Sequence, residues 1–318
     1  MKKIVINNSN ELSFEEAFKR FISFKEINNL SPQSIVYYKD CAKFFTGYFD
    51  SSNPCNMIDI DTIYGYIAFL RKENPDLKDV TINSYLRGLR VILYYFMELG
   101  YMREFKIKLI KADKRIKETY TQEELKLLLK KPDIKTCSFS EYRTWVMTNC
   151  FLATGIRLST ATELKINDIR FDTNEIFLRK VKNRSQQIVP LSHSLSKVLR
   201  EYLQYRQGNG EDYLFCNQYG QKLASSAVQS CLQRYNRKRG VYKTSAHLYR
   251  HTFAKNWILN GGDIFRLQRL LGHSTMDMVR QYVNMFNDEL QIQYNEFNPL
   301  DNFLKENQER TTKIKMRK

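Results

Sequence analysis

Apolar residues recur at helical spacing along most of this chain, and that period limits its fold more than any other feature. It is clearest at Ile82, Tyr85, Leu86, Leu89, Ile92 and Phe96. Residues three and four apart share one helix face, so this run predicts an amphipathic helix ending near Gly100. Start signals precede the other periodic runs. Ser13 with Glu16 three residues on forms a capping box ahead of Phe14, Ala17, Phe18, Phe21 and Ile22. Ser31-Pro32 supplies a cap and a first-turn proline ahead of Ile35, Tyr38 and Phe45. A third helix follows Asp59, with Ile63, Tyr66 and Leu70 on one face. Residues 13–100 are therefore expected to form a compact all-helical domain, after an N-terminal arm of residues 1–12.

Residues 101–118 carry seven basic and three acidic side chains with weak periodicity, and read as an interdomain linker. Helices restart at Thr121, boxed by Glu124, and at Ser138, boxed by Glu141; the second runs through Trp145, Val146 and Phe151 to Gly155. The period shortens after Asp168. Ile169–Phe171, Glu175–Arg179 and Gln187–Leu191 read as three short strands joined by polar turns. Helices are expected again over 192–206, 224–238, 244–259, 263–271 and 275–285. The prediction is a mainly α fold with a small antiparallel β-sheet, in two domains. The second domain spans 119–285, and a tail runs from Phe286 to the end.

Hydrophobic residues make up 42% of the 318, enough for ordinary cores. No apolar run approaches the roughly 20 residues that cross a bilayer. The start, Met1-Lys2-Lys3, turns polar before a signal-peptide core could form, so a cytoplasmic protein without a membrane partner is expected. The six cysteines (Cys41, Cys55, Cys137, Cys150, Cys216, Cys231) show no C-x-x-C spacing, and there are only four histidines. Neither a metal site nor a disulfide framework is expected, and no cofactor is implied. Charge narrows the function further. Against 34 acidic residues stand 51 Lys and Arg, a net charge of +17 that points to a polyanionic partner, most commonly nucleic acid.

Four separated pieces then need a common explanation. These are Thr154-Gly155-Ile156-Arg157; Lys182, in the polar turn between the second and third strands; His247-Leu248-Tyr249-Arg250-His251; and Leu271-Gly272-His273, with Tyr282 nine residues after the histidine. Together they resemble the tyrosine recombinases, or phage integrase family, whose signature is T-G-x-R, a β-hairpin lysine, H-x-x-R, L-G-H and a following tyrosine. The resemblance covers residues 13–285. It implies a helical core-binding domain that clamps DNA and a mixed α/β catalytic domain.

It also implies strand cleavage through a 3′-phosphotyrosine, without metal or ATP. Arginines suit the phosphate clamp, because their forks bind phosphate oxygens bidentately and stay charged, so Arg157 and Arg250 take that role. Tyr282 is the expected nucleophile, a weak one until a neighbour removes its proton. His247 is the expected proton acceptor and His273 a hydrogen-bond donor to phosphate. By resemblance Lys182 is the general acid for the 5′ oxygen, with Lys180 the alternative in the same turn. The expected partners are double-stranded DNA sites, three further copies in a tetrameric synaptic complex, and accessory DNA-bending or directionality factors.

Two details qualify the match. The family usually carries an acid three positions after the first arginine, where this chain has Thr160; Glu163 is not expected to replace it. His251, outside the key pair, is expected to be a core histidine. Further DNA contacts are expected from Lys106, Lys108, Lys111 and Lys114 in the linker. A second set is Arg234, Arg237, Lys238, Arg239 and Lys243, a run without an intervening acid in which Tyr235 and Tyr242 are interleaved. The competing functions are a type IB topoisomerase and a non-catalytic DNA-binding factor. Within the family, a chromosome-dimer resolvase and the integrase of a transposon or conjugative element both fit.

Overall fold

The caps written in the sequence start the helices. The computed structural model describes residues 12–113, 118–179, 186–273, 275–276, 279–280, 282 and 298, and the chain divides into two compact units, Met1–Arg115 and Ile116–Lys318. In the first unit, α1 (Phe14–Ile27) opens with Ser13 Oγ accepting the Glu16 N–H while the Glu16 carboxylate accepts the Ser13 N–H at 3.2 Å. Ser31 caps α2 (Pro32–Thr46), and Asp59 caps α3 (Ile60–Glu73) by accepting the Thr62 N–H at 2.8 Å. The fourth helix, α4 (Asp79–Glu98), is 20 residues long.

Aromatic rings fill the space between these helices. Phe14 packs 5.3 Å from Phe45 and 5.6 Å from Phe96, ring centre to ring centre, and all three are fully buried. Each such ring contributes roughly 1.5–3 kcal/mol relative to an exposed one. α2 and α4 meet closely at Gly88, where an added Cβ would lie 2.3 Å from Cys41 Sγ. That approach needs a residue without a side chain.

Residues after α4 stay on this unit. Met102 and Ile107 enter its core, and the buried Asn83 amide holds both backbone groups of Ile110, at 2.8 and 2.9 Å. Lys106 and Lys108 alternate with Phe105, Ile107 and Leu109, which pack on that core, and these lysines and Lys111 are exposed. The alternation has an extended chain's period, which a search for helical spacing registers only as weak periodicity.

The second unit is built around α6 (Phe139–Thr154). Every residue from Tyr142 to Phe151 except Asn149 is buried, so the helix is covered on nearly all sides. Packed around it are α5 (Gln122–Leu129), α8 (His193–Arg206), α9 (Ser225–Lys238) and α10 (Ala246–Leu259). A buried polar hub locks α10 in place. Asn236 donates to the Tyr120 hydroxyl and accepts from the Tyr249 hydroxyl, while Thr252 Oγ1 accepts the Tyr120 N–H.

The sheet is antiparallel in the order β1 (Ile169–Arg170), β2 (Glu175–Leu178), β3 (Gln187–Pro190), with Ile176 opposite Val189 and Phe177 opposite Ile188. Ile176, Leu178 and Val189 face the core, whereas Ile188 on the other face is exposed. Two further short α-helices are described in this unit: α7 (Leu158–Ala161), just after Arg157, and α11 (Ile264–Leu271), within the helix expected over 263–271. The architecture is thus mainly α with a small antiparallel sheet, as expected. No described helix is long and apolar enough to cross a membrane. The expected N-terminal arm up to residue 11, Lys114, the hairpin turn with Lys180 and Lys182, much of the helix expected over 275–285, and the tail apart from Asn298 lie outside the described residues.

Candidate active site

Two left-handed glycines build the frame of the site. Gly155 ends α6 with φ +62°, and its N–H donates to the Phe151 carbonyl. A Cβ there would sit 2.6 Å from Phe253 and 2.8 Å from Leu271, so both conformation and space require glycine. The chain thus reverses in one residue and delivers Arg157 to the start of α7. Gly272 ends α11 in the same way, with φ +58°. Its neighbours split accordingly: Leu271 is buried in an apolar cluster with Ala254, Leu267, Val279 and Tyr282, while His273 turns toward the arginines.

Arg250 is the centre. It is 4% exposed, and its guanidinium donates to the Gly155 carbonyl at 2.7 Å and the Leu271 carbonyl at 2.6 Å. The same Nη2 lies 2.8 Å from His273 Nε2. A guanidinium only donates, so Nε2 accepts, and a neutral His273 carries its proton on Nδ1. Arg157 is half-buried and reaches the Gly272 carbonyl at 3.4 Å. Burial lowers both guanidinium pKa values, and Arg157 adds to the effect on Arg250, bringing it to about 10. Both remain cations at neutral pH.

Tyr282 completes the cluster at 3% exposure. Burial raises its hydroxyl pKa, and the cationic Arg250 and Arg157 partly offset this. Its ring is parallel to that of His273, 6.3 Å away. Its hydroxyl is hydrogen-bonded by His251, with Nδ1 2.9 Å from Tyr282 Oη, and by the Arg250 guanidinium. This corrects the expectation of a core histidine: His251 is only partly buried and points at the tyrosine. Its spacing was the available signal, because His251 follows His247 by four residues and repeats its helix face one turn later. His247 is exposed, its ring 6.4 Å from that of His251.

Sequence reasoning also passed over the groups that root the hairpin. Gln187, at the start of β3, donates to the Arg269 and Leu270 carbonyls at 2.5 and 3.0 Å, tying the strand to the end of α11. On the other arm, Arg179 Nε donates to the buried Asp168 at 2.5 Å. Thr160 is buried in α7, and Glu163 pairs with Lys222, so that carboxylate is committed elsewhere.

The expected basic DNA-contact run looks different in three dimensions. Lys238 and Arg239 pair with Glu141, and Lys243 pairs with Glu124 at 3.1 Å. Tyr235 is buried with its hydroxyl donating to the Leu128 carbonyl, whereas Tyr242 is exposed. A run free of acids in the sequence therefore meets acids from α5 and α6. Arg234 and Arg237 are exposed. Among the described residues no group of His, Cys, Asp and Glu could hold a metal ion.

The model of the phage integrase family matches residues 118–289, just over half of the chain. The chain belongs to the phage integrase family, the tyrosine recombinases. Among curated relatives, the tyrosine recombinase XerD of Listeria innocua is 27% identical over 286 residues, covering 85% of this chain and 94% of that protein. XerC of Chlamydia caviae is 25% identical over 240 residues, covering 73% of this chain and 75% of its own.

Solved recombinases share the fold. The Tn1549 transposon integrase in complex with circular intermediate DNA matches with a TM-score of 0.69 and 19% identity, over 85% of this chain and 95% of that one. XerH bound to a palindromic difH substrate gives 0.68 and 21%, over 87% and 84%. A lambda integrase dimer bound to a COC' core site gives 0.70 and 16%, over 87% and 97%.

Proposed function

We propose that this tyrosine recombinase cuts and rejoins double-stranded DNA at specific sites through a 3′-phosphotyrosine on Tyr282. The observation that carries this reading is the convergence of Arg157, Arg250, His251 and His273 on one buried tyrosine. Two fixed cations beside a phenol favour a phosphate between them and stabilise the charge that develops on its non-bridging oxygens. The phenol needs a base to attack, and α10 offers imidazoles; His273 adds a hydrogen bond to the phosphate. The ester conserves the energy of the broken bond, so a second strand can be joined without ATP. Lys106, Lys108, Lys111, Arg234 and Arg237 are exposed cations available to the phosphate backbone, and Lys114 extends the linker series. A tetramer on paired sites, assembled by way of the tail, fits a reaction in which two duplexes exchange strands.

The decisive experiment is covalent trapping on fragmented genomic DNA from the source cells, in EDTA. Adducts are expected at a few recurring sequences, linked through Tyr282 to a 3′ phosphate; sequencing them gives the target site. Loss of all adducts on chelation, restored by magnesium, would overturn the metal-free mechanism. Equal trapping at any sequence, with relaxation of supercoils by a monomer, would favour the topoisomerase reading.

Lys182 has the narrowest proposed role. An alkoxide leaves slowly without a proton, whereas a thiolate leaves easily, its parent thiol having a pKa of about 8.5. Lys182→Ala is expected to be severely impaired on a normal nicked site and largely rescued when sulfur replaces the bridging 5′ oxygen. Rescue of Lys180→Ala instead would move the general acid by two residues.

A further inference from the structure

We infer that His251, rather than His247, is the catalytic group that takes the proton from Tyr282. The inference rests on the reading of Tyr282 as the nucleophile. Three observations support it. His251 Nδ1 stands 2.9 Å from Tyr282 Oη, within the reach that direct proton transfer needs. The tyrosine is 3% exposed, so bulk water is a poor route for its proton. His247 is exposed one turn earlier on α10, its ring 6.4 Å from that of His251, and the histidine hydrogen bond to the tyrosine hydroxyl comes from His251. Tyr282 and His251 are therefore paired before DNA arrives.

The transfer balances simply. The Tyr282 proton moves to His251 Nδ1, and the phenolate oxygen forms the bond to phosphorus. The bond from phosphorus to the 5′ oxygen breaks, and that oxygen takes the proton proposed to come from Lys182. Rejoining runs the steps backward, and His251 returns its proton as the phenolate leaves. Among the described residues, the charged or titratable groups around this pair include Arg157, Arg250 and His273 on the tyrosine side, and His247 and Lys255 one turn to either side along α10. The two arginines favour the phenolate, so the histidine has to hold the proton only briefly.

The test is single-turnover cleavage of a nicked duplex built on the trapped sequence, read from about pH 5 to 8. A base must be unprotonated, so the wild-type rate should rise with pH as an imidazole loses its proton. Asparagine at 251 offers a hydrogen-bonding atom near the place of Nδ1 but cannot take a proton. His251→Asn is expected to bind DNA normally and still link through Tyr282, at a rate lowered roughly 100-fold or more and without the rise. His247→Gln should keep the rise. His251→Gly guards against a merely structural loss: saturating imidazole should restore its cleavage, increasingly at higher pH. A His251→Asn rate within a few-fold of wild type, a rise lost in His247→Gln, or no recovery with imidazole would each overturn the inference. Linkage through another tyrosine would instead overturn the reading of Tyr282 beneath it.

Discussion

Tyr282→Phe is expected to bind its DNA site as the wild-type chain does and to form no covalent adduct at all. The substitution removes one oxygen and leaves the ring among Ala254, Leu267, Leu271 and Val279. It forfeits the hydroxyl's hydrogen bonds with His251 and Arg250, worth about 1–3 kcal/mol together, while the ring keeps its packing, so the fold should persist. The loss of chemistry should be total, because no other group at that position can attack phosphorus. Denaturing electrophoresis of protein with a nicked site gives the readout, and retained gel-shift affinity shows that binding survives. An adduct persisting in this variant would assign the nucleophile to a different tyrosine.

The two arginines should separate catalysis from stability. Arg157→Ala removes a half-buried guanidinium whose described hydrogen bond is the long one to Gly272. Its melting temperature should be close to wild type while cleavage falls by roughly 100- to 1000-fold, the usual cost of removing one group aimed at developing charge. Arg250→Ala should lose at least as much activity and stability as well. It leaves the carbonyls of Gly155 and Leu271 buried without their donor, at about 1–3 kcal/mol each. Arg250→Lys tests the geometry: the charge remains, but one ammonium replaces a fork that spans two carbonyls and His273, so most of the activity should still be lost. Differential scanning calorimetry beside single-turnover cleavage measures both effects. Wild-type stability in Arg250→Ala, or wild-type cleavage in Arg157→Ala, would contradict this division.

Local signals carried most of the secondary structure. Ser13, Ser31, Thr121 and Ser138 each accept the N–H three residues on, because a cap acts within its own turn and needs nothing from the rest of the chain. The three strands form where the apolar period shortened. Arg157, Arg250, His273 and Tyr282 were nameable because each sits in a short fixed motif, and the glycines that frame them are visible as letters. Gly155 and Gly272 could be read as turns, though not as the points where Arg250 and Arg157 are anchored.

What the sequence determined by itself, then, is most of the described helices and strands, the two-part organisation and the identity of the motif residues. Each depends on interactions a few residues apart or on a pattern written in order. Pairings across long separations were decided only by the tertiary structure. Tyr282 meets His251 across 31 residues, Gln187 meets the end of α11 across 82, and Arg239 meets Glu141 across 98. Such contacts are set by how α6, α10 and α11 pack, and a change of one turn in that packing would replace His251 by His247 as the residue presented to the tyrosine. Helical spacing names both histidines as candidates; the packing of the helices selects between them.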